Sequence, residues 1–217
     1  EDNNLVEDFQ YQGGGNTLSA VIPLAELGLT VGQTIAISAF QEGSSDGWAT
    51  DWMESAALTL EPPATGRMKI DGEFADWTEA AAAGLVEGVD DPQDMADSSG
   101  DIRRIEGTVE AGYLYLRMTV EGIALPAVEE TPPGMNNRYY YHWLLDIDNN
   151  PATGRSNAEY EGEPTGIQNP IGYERAVQIG WRDGAPNGVI VYDPADEDTN
   201  LVEDFEFAPG GDSVEAR

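Results

Sequence analysis

Asp146, Asp148 and Asn150 alternate along the chain and run into Pro151, Ala152, Thr153 and Gly154. A hard cation such as Ca²⁺ takes about six to eight oxygen ligands at one point, and short oxygen side chains at i, i+2 and i+4 on a curling loop converge on one centre. Asp146, Asp148, Asn150 and Thr153 are therefore the expected calcium ligands. No glutamate stands twelfth from Asp146, so the loop is not an EF-hand. The competing reading is a solvated Asx turn that ends a strand, a habit of Asp and Asn. A second acidic group, Asp90, Asp91, Asp94, Asp97 and Asp101, reads as a solvated loop on an acidic protein.

Other chemistry has less to build on. Cysteine is absent, which removes disulfides, thiolate nucleophiles and covalent haem attachment. His142 is the only histidine; no Gly-x-Ser-x-Gly elbow accompanies it, and its place in a strand suits a structural role. Met118, Met135, Lys69 and His142 have the residue types of haem ligands but no supporting spacing, so no haem is expected. Carboxylates abound, yet none stands out as a glycosidase pair, and no catalysis is expected. Of the five tryptophans, Trp48 and Trp181 are the candidates for ligand-facing rings, whereas Trp52, Trp77 and Trp143 read as packing residues.

The elements that hold these residues are strands. Period-two alternation marks Thr34 to Phe40, Tyr113 to Val120, Val177 to Trp181 and Val189 to Tyr192. The nearly continuous apolar run from Tyr139 to Ile147 predicts a central strand covered on both faces. Helix is confined to single turns at Pro23 to Leu27 and at Thr78 to Ala83, with Thr78 as a candidate cap. The expected fold is all-β, an antiparallel β-sandwich of immunoglobulin-like or jelly-roll-like form, with long loops at 84–100, 121–136 and 149–170.

Net charge is −31, with 41 acidic residues against 10 basic ones. Such a field repels phosphate backbones and anionic headgroups, so neither nucleic acid nor membrane is an expected partner. Lys69 is the only lysine, and a composition of this kind suits a salty or calcium-rich exterior. Glu1 opens the chain, which reads as a mature, processed or excised segment.

A repeat organises the whole. Residues 1–21 lie over residues 197–217 without a gap, at an offset of about 196 residues, with about half the positions identical. Leu-Val-Glu-Asp-Phe occurs unbroken in both. Leu5, Phe9, Leu201 and Phe205 are the apolar anchors expected of two copies of one assembly strand. Pro62 and Pro63 mark a joint. The reading is therefore residues 1–62 as the closing half of a sandwich, 63–66 as a Pro-rich joint, and 67–217 as the opening part of the next.

The residues on either side of the joint carry a family resemblance. Lys69-Ile70-Asp71-Gly72, Asp76-Trp77, Asp101-Ile102 and the strand Leu114 to Val120 resemble the opening of family-9 carbohydrate-binding modules and of DOMON-like sandwiches. Ile22 to Gly28, Asp46-Gly47-Trp48, Asp51-Trp52 and Ala57 to Leu60 resemble their ending, so the order here is permuted. The resemblance implies an antiparallel sandwich, frequent calcium, and a ligand face that binds sugar termini in some members. No paired-tryptophan clamp matches here.

Two functions follow as expectations. The first is a non-catalytic, secreted subunit of an extracellular filament, sheath or surface layer, joined head-to-tail to copies of itself by strand or half-domain complementation and stabilised by calcium. The alternative is a carbohydrate-binding module from a secreted repeat protein or carbohydrate-active enzyme, with polysaccharide as partner.

Overall fold

The computed structural model describes residues 6–7, 10–14, 16–43, 49–60, 68–70, 74–126, 138–200, 207–210 and 213–216. In chain order the strands are β1 (Val6–Glu7), β2 (Gln10–Gly14), β3 (Thr17–Pro23), β4 (Thr34–Glu42), β5 (Thr50–Trp52) and β6 (Ala56–Thr59). Helix α1 (Ala75–Ala82) follows, then β7 (Glu87–Asp90), β8 (Ile102–Glu110), β9 (Tyr113–Val120) and β10 (Arg138–Asp146). The remainder are β11 (Arg155–Ser156), β12 (Glu159–Tyr160), β13 (Glu163–Pro164), β14 (Gly172–Tyr173), β15 (Arg175–Arg182), β16 (Ala185–Asp193), β17 (Asp196–Asn200), β18 (Phe207–Gly210) and β19 (Ser213–Ala216).

These strands build an all-β antiparallel sandwich. One sheet runs β1-β16-β15-β10-β4-β5, with β17 also on β16 and β6 also on β4; the other runs β2-β3-β9-β8-β7. Strand pleating sends successive side chains to opposite faces, and the apolar residues obey it. Tyr139, Tyr141, Trp143 and Leu145 of β10 meet Ile35, Ile37 and Ala39 of β4 and Leu114, Leu116, Met118 and Val120 of β9 in the core between the sheets. Gly107 of β8 permits a close approach there, since a Cβ on it would lie 3.0 Å from Leu58.

Both outer faces are also covered. On the first sheet, Ala36, Phe40, Leu144 and Ala176 pack beneath Ile171 and Tyr173. Those two come from the 149–170 region and its exit, expected to be an open loop but folded into the small pairs β11–β14 and β12–β13. This is how β10 comes to be buried on both faces, as its continuous apolar run implied. On the second sheet, Trp77 and Ala80 of α1 pack with Met68 over Val21 and Tyr115.

Several local expectations change. The helix begins at Ala75, so Thr78 does not cap it; the Thr78 hydroxyl donates to the Phe74 carbonyl from inside the first turn. In place of a helical turn at Pro23 to Leu27, Pro23 ends β3 and residues 24–28 form turns. The 84–100 loop contains β7, which pairs with β8.

Strands from either side of Pro62-Pro63 interleave in both sheets. β3 pairs with β9 from Thr17↔Thr119 to Pro23↔Tyr113, and β4 pairs with β10 from Glu42↔Tyr140 to Ala36↔Asp146. Residues 17–60 thus complete the sandwich begun by residues 68–193.

Candidate functional sites

At one end of the β4–β10 pair the chain leaves β10 through Asp146, which is 1% exposed. The Asn150 amide donates to Asp146 Oδ1 at 2.9 Å and to Asp148 Oδ1 at 3.0 Å. Asn149 takes φ +54°, within the left-handed region that Asn tolerates. Carboxylate oxygens of Asp146, Asp148 and Glu174 lie within 4.8 Å of one another. Burial raises the pKa of Asp146 and of Glu174, and the neighbouring Asp148 carboxylate adds to both.

Of the four expected calcium ligands, then, Asp146 and Asp148 come together. Asn150 and Thr153 are engaged within the turn: Asn150 Oδ1 accepts from the Ala152 amide, and Thr153 Oγ1 donates to Asp148 at 3.0 Å. Glu174 supplies the third carboxylate, which sequence reading missed. Its signal lay in register, because β15 begins with Arg175 opposite Leu145 and so brings the preceding residue beside Asp146. Three carboxylates brought together from the end of β10, the loop after it and the residue before β15 suit a divalent cation.

At the other end of the same strand pair lies a second group. Asp90 is held by Arg104 at 2.5 Å, and Asp97 accepts from the Tyr139 hydroxyl at 3.0 Å. The remaining acids gather elsewhere: oxygens of Asp91 and Asp94 lie within 4.8 Å of each other and of Asp51 on β5. Asp101, fully buried, accepts from the amides of Asp94 and Met95. Burial, with the nearby Asp94, Asp91 and Asp101 carboxylates, raises Asp51 to about 7. Burial and Asp94 likewise raise Asp91 to about 6.

The aromatic candidates change. Trp181 is 8% exposed, belongs to the inter-sheet core, and its Nε1 donates to the Pro126 carbonyl at 3.0 Å, so it presents no face to solvent. Trp48 lies outside the described residues. A ring stack forms instead on the outer face of the first sheet: Trp52 over Phe40 at 4.3 Å, and Phe40 over His142 at 4.0 Å. Beside it a cleft of about 660 Å³ is lined by Glu42, Tyr140, His142, Gln178, Asn187 and Tyr192, among others. His142 is 2% exposed, and neither ring nitrogen has a hydrogen-bond partner among the described residues. Burial lowers its pKa to about 3, so it is neutral at pH 7.

Leu5, Phe9, Leu201 and Phe205 lie outside the described residues, but the strands beside them carry the repeat. β2 pairs with β3 as Tyr11↔Ala20, Gln12↔Ser19, Gly13↔Leu18 and Gly14↔Thr17. β18 pairs with β19 as Phe207↔Ala216, Ala208↔Glu215, Pro209↔Val214 and Gly210↔Ser213, which is the same hairpin at the repeat offset. Both copies also address one edge of β16, away from β15. β1 holds Val191 and Ile190 with Val6 and Glu7, while β17 holds Asp193 and Tyr192. No protein-family model, curated protein or solved structure matches the chain.

Proposed function

We propose that the chain is a non-catalytic structural subunit of an extracellular filament, sheath or surface layer, assembling head-to-tail with copies of itself and stabilised by calcium. The observation that carries this reading is the duplicated hairpin, β2–β3 and β18–β19 in one register, together with β1 and β17 on one edge of β16. Two copies of a strand set compete for one place in the sandwich. Both hairpins lie together in this chain, β19 against β2 and β3 and β18 against β2, so one of the two copies can instead enter the same place in a neighbour, by strand addition at an open edge. Because the donating and accepting surfaces differ, such a contact propagates instead of closing. Only the N-terminal copy leads on into β4, β5 and β6, which pair within this chain here; in the assembly residues 1–62 would make those same pairings, β3 on β9 and β4 on β10, in a neighbour. The resemblance to family-9 modules and DOMON-like sandwiches fits this arrangement, and Asp146, Asp148 and Glu174 would hold the calcium.

Light scattering across a hundredfold range of concentration, with electron microscopy of the most concentrated sample, tests the proposal. Mass that grows with concentration into linear assemblies supports it. A monomer at every concentration, with and without calcium, refutes it.

A second reading, carbohydrate binding, is favoured by the cleft beside the Phe40–His142 stack. Tyrosine rings, amides and a carboxylate around a concave face suit a sugar, whose C–H faces pack on aromatics while its hydroxyls need polar partners. Titration with soluble oligosaccharides followed by NMR tests it, and shifts must appear at Tyr140, Gln178 and Tyr192 for the reading to stand.

A further inference from the structure

Gln41 is fully buried and lies directly across from Asp51 in the β4–β5 register, so the two side chains share a face. Its Nε2 donates to the Gly43 carbonyl at 3.0 Å, but its Oε1 has no partner among the described residues. That oxygen sits against Gly100, where a Cβ would come within 2.5 Å of it, immediately before Asp101. Asp101 Oδ2 and Asp91 Oδ2 are also buried without a partner among the described residues. A buried oxygen with no donor costs roughly 1 to 3 kcal/mol, and more when it is charged. These oxygens border the group formed by Asp51, Asp91 and Asp94: Asp101 acts electrostatically on both Asp51 and Asp91, and Gln41 pairs across from Asp51. Arg103 faces Asp91; its Nε holds Glu121 at 3.3 Å, its Nη1 is buried with no hydrogen-bond partner among the described residues, and Glu54 adds a further negative charge nearby. One guanidinium leaves the group strongly acidic.

We infer that Gln41, Asp51, Asp91, Asp94 and Asp101 form a second cation site, for calcium, that fastens residues 1–62 to the rest of the sandwich. The ligand chemistry matches a hard cation, which takes carboxylates together with amide carbonyls in an adaptable shell. A smaller Mg²⁺ ion, which demands near-ideal octahedral geometry and sheds water reluctantly, suits this mixed and crowded set less well. The site spans the joint. Gln41 and Asp51 come from the strands before Pro62, and Asp91, Asp94 and Asp101 from the segment leading into β8. Tyr141, which donates to the Ser99 carbonyl at 2.8 Å, and Tyr139, which donates to Asp97, pin that segment over the end of the core. An ion here links the two halves whether they belong to one chain or to neighbouring copies. The inference therefore stands apart from the filament reading.

Calorimetric titration of the metal-stripped full chain with calcium chloride tests it, using Asp91→Asn/Asp94→Asn and, for the other site, Asp148→Asn. Asp94 is exposed and Asp91 half-buried, so the double variant keeps the core intact, which far-ultraviolet circular dichroism checks. The expected result is that the double variant binds one calcium fewer than wild type, while Asp148→Asn retains that ion. Calcium at about a hundred times Kd should raise the wild-type melting temperature by roughly 5 to 10 °C through this site. The double variant should lose that rise. Unchanged stoichiometry in the double variant, or no calcium bound by wild type at millimolar concentration, overturns the inference. Neither result depends on whether the chain assembles.

Discussion

Removing residues 1–62 is the most informative perturbation of this molecule. Strands β3 to β6 and the turns between them place Leu18, Ile22, Leu24, Leu27, Leu29, Ile35, Ile37, Met53, Leu58 and Leu60 in the core, each at 3% exposure or less. Burying a side chain of this size stabilises by about 1.5 to 3 kcal/mol, so the group contributes roughly 15 to 30 kcal/mol as an upper estimate. Even half of that exceeds or rivals the net stability of a typical domain, about 5 to 15 kcal/mol. The deletion would also bare the edges of β9 and β10 that pair with β3 and β4, leaving long apolar strands open to aggregation. Residues 63–217 alone should therefore lack a cooperative melting transition, bind a hydrophobic dye and elute as aggregates. Adding residues 1–62 as a separate chain should restore the near-ultraviolet signal of buried Tyr141 and Trp143, at a rate that rises with concentration. A soluble, cooperatively melting monomer of residues 63–217 would refute both the arithmetic and the complementation it supports.

Other predictions are more local. The pKa of His142 is lowered in the fold to about 3, against 6.5 for an unperturbed histidine. The unfolded chain therefore binds the proton first: the contribution of neutral His142 is complete above about pH 6.5 and is lost as pH falls toward 3, by up to roughly 5 kcal/mol. Urea midpoints at pH 7 and pH 4 should differ by less in His142→Phe than in wild type, and equal differences would sink the argument. Asp51 and Asp91 act in the opposite direction in the metal-free chain. Their raised values mean that stability is full below about pH 3.8 and declines as pH rises through about 6 to 7. Metal-free wild type should thus gain stability when taken from pH 8 to pH 6, and Asp51→Asn should gain less. Gly43 combines φ +98° with a position where a Cβ would fall 1.8 Å from the Arg138 carbonyl, so Gly43→Ala should cost roughly 2 to 4 kcal/mol by chemical denaturation. With a net charge of −31, raising salt from about 10 mM to 1 M should stabilise the metal-free fold by shortening the screening length from roughly 30 Å to 3 Å; a flat melting temperature would contradict this.

What the sequence determined by itself is what strand periodicity and identity can encode. Alternation along Tyr113 to Val120 names β9 and its inward face, because neighbouring residues on a strand point to opposite sides. The unbroken apolar run of β10 required cover on both faces, and the repeat of residues 1–21 at 197–217 has its counterpart in the shared register of β2–β3 and β18–β19. Asp146 and Asp148 were legible because their spacing is local. Tertiary structure decided the rest, through contacts between residues far apart in the chain. Glu174 reaches Asp146 through the register of β15 on β10, and Asp51 reaches Asp91 only because β5 returns alongside β4. Trp181 precedes a polar turn and read as exposed, yet its inward position on β15 buries it under Pro126. The 149–170 loop looked free because its apolar residues are few and unpatterned, and the outer face of β4 and β10 gathers Tyr160, Ile171 and Tyr173 into a second core. A side chain's neighbours along the chain set which face it takes; only the pairing of distant strands sets what that face meets.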